Sequence, residues 1–148
     1  MNALKSTVTA VIALLGGWIS SAFGGWDSAM TTLVIFMTID YITGLIVAGV
    51  FHASAKSETG ALESRAGWKG LCRKGMSLLI VLIGARIDLA LGVDYVKNAV
   101  VIGFVFNEAI SILENAGLMG LEYPPIIKNA LDLLKKKSEE PPKATGEE

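Results

Sequence analysis

The sequence predicts an all-α, small polytopic membrane protein: four transmembrane helices, both termini inside, and a short amphipathic helix near the C-terminus. Three observations lead there. First, the 148 residues are 52% hydrophobic, and the apolar ones gather in four stretches, about 7–26, 28–51, 75–92 and 96–114. At 1.5 Å rise per residue, each can cross or nearly cross a hydrocarbon core about 30 Å thick. Second, the basic residues are sorted. Eleven lie before the first stretch, between the second and third, or after the fourth, whereas Lys97 stands alone on the other side. The positive-inside rule then places both termini in the cytoplasm, with outer turns near 24–28 and 93–98. Third, Asp40, Arg86, Asp88 and Glu108 sit within the apolar stretches. An ionisable group at the bilayer centre costs about 2.5–3.5 kcal/mol on insertion scales, so it is kept where it meets a partner or water.

The length suits one membrane domain, 1–136, followed by a charged, proline-bearing tail at 138–148 that reads as disordered. In the first span, Thr9, Ala13, Gly17, Ser21 and Gly25 recur every four residues. Such a stripe lets helix backbones approach closely, so Ala13, Gly17 and Ser21 are assigned to a packing face within or between subunits. A helix rich in small residues also produces this pattern by chance. Lys5, Val8–Leu15 and Ser20-Ser21-Ala22 fit a secretory signal, but the apolar run outlasts the usual 7–15 residues, which favours a retained span.

In the second span Asp40 is followed by Tyr41, Thr43 and Gly44, with Gly44 and Ala48 as a second close-approach pair. Asp40 either lines water or pairs across a helix contact, and Arg86 of the third span is its expected partner. A static ion pair is the plainer alternative. The loop 52–74 carries Lys56, Arg65, Lys69, Arg73 and Lys74 with Trp68 and Leu71. It either lies on the anionic inner leaflet, at about 1 kcal/mol per basic residue, or serves only to set topology. Arg86 and Asp88 are two residues apart on one helix and face different directions.

The fourth span is amphipathic. At 100° per residue, Asn107, Glu108, Ser111, Glu114 and Asn115 fall within an arc of about 120°, opposite Phe106, Ile110 and Leu113. The arc suits a water-filled lumen, or else a polar seam buried in a static assembly. Beyond Pro124-Pro125, residues 125–137 read as an amphipathic helix with Ile127, Leu131 and Leu134 on one face and Lys135–Lys137 at its negative end.

Catalysis finds little support. There is no Cys/His metal spacing, phosphate-binding glycine loop or Ser/His/Asp set. His52 is the only histidine and Cys72 the only cysteine. The expectation is no enzyme, no cofactor, no metal and no nucleic acid, with the lipid bilayer and further copies of the chain as partners.

The same residues carry a resemblance. Asp40-Tyr41-Ile42-Thr43-Gly44, Lys69-Gly70-Leu71 with Lys74, Ile87-Asp88, and Asn107-Glu108 followed by Ser111-Ile112-Leu113-Glu114-Asn115 stand in an order and spacing that resembles the toxin-secretion/phage-lysis holin family. Gly117, Pro124 and the closing apolar-basic helix fit as well, so the likeness covers roughly residues 28–136. It implies a multi-pass protein of the bacterial cytoplasmic membrane that oligomerises and then permeabilises the membrane. The functional link would be to a cell-wall hydrolase or a large toxin, without required direct contact. Two other readings stand beside it: a small proton-coupled multidrug transporter and an antiholin-type regulatory subunit. Small exporters of that kind place their key glutamate in the first span, which here carries no charge.

Overall fold

The computed structural model describes residues 2–122 and 124–139, and every secondary-structure element among them is helical. Helix α1 spans Asn2–Ala22, α2 Ser28–Ile46, α3 Ser64–Leu91, α4 Val96–Leu118 and α5 Pro125–Glu139. Helix α2 continues into a π-helical turn, Val47–Phe51. Three of these segments are long and apolar enough to cross a membrane: Ala3–Ala22, Ser28–Phe51 and Val96–Leu118. Helix α3 has the length, with 28 residues, or about 42 Å at 1.5 Å per residue. Its apolar half carries Arg86 and Asp88.

Three boundaries differ from the sequence expectation. The basic loop is shorter than 52–74, because α3 begins at Ser64 and takes Arg65, Lys69, Arg73 and Lys74 into the helix. A helix satisfies its backbone groups internally, which matters most where a chain approaches lipid. The first helix stops at Ala22 rather than near residue 26, and Gly24 and Gly25 turn the chain at φ 69° and 101°. Such values are open to glycine at little cost. The C-terminal helix runs to Glu139, past the expected 137. The side chains of Leu131, Leu134 and Lys135–Lys137, and the rest of the expected tail at 140–148, lie outside the described residues.

The core belongs to α2, α3 and α4. Helix α4 packs chiefly on α2 and then on α3, while α2 and α3 touch little. Met30, Leu33 and Met37 of α2, Val81 of α3 and Val101 of α4 are buried together. These positions belong to stripes at alternating spacings of three and four: Met30, Leu33, Met37, Asp40, Gly44 and Val47 in α2, and Lys97, Val101, Phe104, Glu108, Ser111 and Asn115 in α4. In α3 the stripe is Lys74, Leu78, Val81, Ala85 and Asp88. That period keeps one seam of each helix against its neighbour, as in coiled coils. Gly84 lets α3 and α4 close up, since a Cβ there would stand 3.2 Å from the Lys97 Cα.

Helix α1 lies outside this core. Its described residues from Ala3 to Ile19 are all exposed, as are Ala13, Gly17 and Ser21 of the small-residue stripe. Nothing stands within 4 Å of a Cβ built at Gly17.

Candidate functional site

The three stripes stack polar, apolar and polar layers along the bundle. At the end of the bundle that carries the α1–α2 and α3–α4 turns, Asp88 accepts hydrogen bonds from the backbone N–H groups of Val96 and Lys97, both at 2.9 Å. It thereby serves the free donors at the start of α4. The Lys97 ammonium is 2.8 Å from Asp27 Oδ2 and donates to the Gly25 carbonyl at 3.1 Å. Asp27 in turn caps α2, accepting from the Met30 N–H at 2.8 Å. One buried lysine therefore ties the α1–α2 turn to α4. The hydrogen bond and charge of Lys97, with the Met30 N–H, hold the Asp27 carboxyl below the ordinary carboxylate range.

The inner polar layer is the candidate site. Asp40 of α2 and Glu108 of α4 are both buried, each 5% exposed. Lys74 of α3 donates to Asp40 Oδ2 at 2.8 Å and also to Glu108 Oε2. Asn115 donates to Asp40 Oδ1 at 3.1 Å and to Thr43 Oγ1 at 2.9 Å. Lys56, from the shortened loop, stands 3.7 Å from Asp40 Oδ1. Two carboxylates that would repel each other are thus joined through one ammonium. The same ammonium links α2 to α3 where those helices make few contacts of their own. Gly44 faces Asn115, whose Nδ2 lies 3.8 Å from a Cβ built there, an ordinary contact distance, and Ala48 is buried in the π turn.

The expected Asp40–Arg86 pair is not what forms. Arg86 is exposed, and no ion pair involving it occurs among the described residues. By helix rise, Asp40 and Glu108 lie about 18 Å in from the ends of their helices at the α1–α2 and α3–α4 turns, and Arg86 only about 8 Å. Arg86 also sits off the seam, whereas Lys74 lies on it, seven residues before Val81 and fourteen before Asp88. That heptad register was the signal for Lys74. Counting Lys74 as part of a loop hid it.

The polar arc of α4 divides. Glu108 and Asn115 are buried within the chain, Ser111 is half-buried, and Asn107 and Glu114 are exposed. A cleft of about 350 Å³ opens beside the ion cluster, walled by Asn107, Glu108 and Ser111 on one side and Arg73 to Ile80 of α3 on the other. No cluster of His, Cys, Asp and Glu suited to a metal ion occurs among the described residues.

A helical bundle with membrane-length apolar segments and ions paired between its helices defines the class: a small integral membrane protein whose apolar core is flanked by buried ion layers. Residues 17–136 match the bacteriophage holin family, and the chain belongs to that family. It is 37% identical over 129 residues to an uncharacterised protein of Halalkalibacterium halodurans, covering 83% of this chain and 90% of the relative. It is 38% identical over 119 residues to an uncharacterised protein of Listeria monocytogenes, covering 80% and 79%. A protein of Bacillus phage phi105 named "Probable holin" is 31% identical over 119 residues, covering 77% and 82%. No solved structure matches. Family membership sets the chain among proteins that act on membranes rather than among enzymes.

Proposed function

We propose that this chain is a holin-like pore former of the bacterial cytoplasmic membrane. It crosses four times with both termini inside, assembles with copies of itself, and opens a path for a phage endolysin or a large toxin. The observation that carries this reading is the inner polar layer. Asp40, Lys74, Glu108 and Asn115 satisfy one another inside a single subunit. Asn107, Ser111 and Glu114 flank that layer on α4, and Asn107 and Ser111 line the cleft. While the subunit is closed, ion pairing offsets the cost of burying charge. When subunits part, water in a lumen satisfies the same groups. Two arrangements with similarly satisfied polar groups can lie within a few kcal/mol, which a timed switch requires. Family membership supports the same reading.

Co-expression with a cytoplasmic muralytic enzyme tests it. Expression alone should depolarise the membrane and arrest growth after a delay, and lysis should follow when the enzyme is present. Substrate-dependent proton flux without release of large solutes would instead identify a transporter.

A further inference from the structure

We propose that the cleft beside the ion cluster binds an anionic phospholipid, with Lys56 and Arg73 on the phosphodiester and Met76 and Ile80 along the first part of an acyl chain. Among the charged side chains lining the cleft, Lys56, Arg73 and Lys74 face Asp40 and Glu108, which leaves one positive charge in excess. Lys74 is taken by both carboxylates. Arg73 is exposed and has no ion pair among the described residues, and the Lys56 side chain is half exposed. The unpaired positive charge therefore resides on Arg73, while Lys56, half exposed and only 3.7 Å from Asp40 Oδ1, can turn to a ligand phosphate because Lys74 still holds Asp40.

Depth agrees with a headgroup. Arg73 lies about 27 Å along α3 from Leu91, close to the thickness of one hydrocarbon core. From Arg73 toward the membrane centre the same wall becomes apolar, with Met76 and then Ile80 both exposed. Ser77 and Ser111, about one turn deeper than Arg73, offer hydrogen bonds below the headgroup. A second, mostly apolar slot shares Asp40, Lys56, Ala66, Gly70 and Lys74 with the cleft. It is lined by Ser57, whose buried Oγ has no hydrogen-bond partner. Basic pockets between membrane helices are a recurrent headgroup site.

This proposal rests on the four-span reading, in which α3 crosses the membrane, and not on pore opening. The test uses the full chain in bilayers of phosphatidylcholine containing a minority of phosphatidylglycerol, with retained lipid counted by native mass spectrometry. Phosphatidylglycerol should be retained over phosphatidylcholine. Lys56→Gln with Arg73→Gln should lower that retention by roughly tenfold, given the usual strength of such contacts. Arg65→Gln with Lys69→Gln removes the same charge from exposed positions outside the cleft and should leave it unchanged. Ile80→Ser should weaken retention if the acyl chain is held. Arg73→Gln alone, at an exposed side chain, serves if the double variant folds poorly by circular dichroism. Equal retention of the two lipids, or equal loss in both double variants, would overturn the site. Displacement of the lipid by inorganic phosphate would reassign it to a free anion. A lysis-defective chain that still selects phosphatidylglycerol would separate this proposal from the pore reading.

Discussion

Lys74 decides how Asp40 and Glu108 live inside the protein. Its ammonium contacts both carboxylates, and their side chains are each 7% exposed. Removing one partner of a buried ion pair costs about 3–5 kcal/mol, because a charge is left uncompensated. Lys74→Met should therefore destabilise the bundle by roughly that amount in detergent melts. Adding Asp40→Asn and Glu108→Gln to Lys74→Met should restore much of the loss, and no restoration would deny the cluster its role. Glu108→Gln alone keeps shape and a hydrogen-bond acceptor, so it should insert normally and change lysis timing.

A second residue-scale prediction concerns the turn end of the bundle, at Asp27 and Lys97. Asp27 has its carboxyl held low by Lys97, so its folded pKa lies below its unfolded value of about 4. The stabilisation is then fully present above pH about 4 and is lost as pH falls through the lower folded value. The Asp27 side chain is 42% exposed, so solvent screening keeps the effect modest. Asp27→Asn can still cap α2 but loses the ion pair. Its melting profile should be flatter than wild type below pH 4, and parallel profiles would show that the pair contributes nothing.

At the scale of elements, α1 and Gly84 offer contrasting tests. Gly84 meets the α4 backbone at Lys97. Gly84→Leu should wedge α3 from α4 and cost about 1–3 kcal/mol, as overpacking does. Helix α1 packs almost nothing within the subunit, so the stripe of Ala13, Gly17 and Ser21 is proposed as a contact between copies. Gly17→Leu should leave melting of the subunit unchanged yet reduce cross-linked oligomers in membranes. Unchanged cross-linking would return the stripe to chance composition.

For the whole molecule, topology is the prediction with the widest consequences. In a Cys72-free background, cysteines placed at Asp27 and Asp94 should label from outside intact cells, and one at Lys136 should not. Outside labelling at Lys136 would remove the N-in/C-in arrangement and, with it, the fourth crossing. The helical class, the positions of the apolar segments and the amphipathic helix starting at Pro125 were legible because hydropathy and helical period act locally. Membership of the holin family was legible because several short motifs keep their order and spacing. Pairing was not legible. Arg86 was the expected partner of Asp40, but a partner must match in depth and lie on the facing seam, and seams are set by which helices pack and how they rotate. Lys74 satisfies both conditions only once Ser64–Arg73 is helical and in register with Val81 and Asp88. The sequence by itself determined where apolar length and charge lie along the chain. Only the tertiary structure decided which charges meet, because burying an ion is tolerable only where a neighbouring helix supplies its counter-charge.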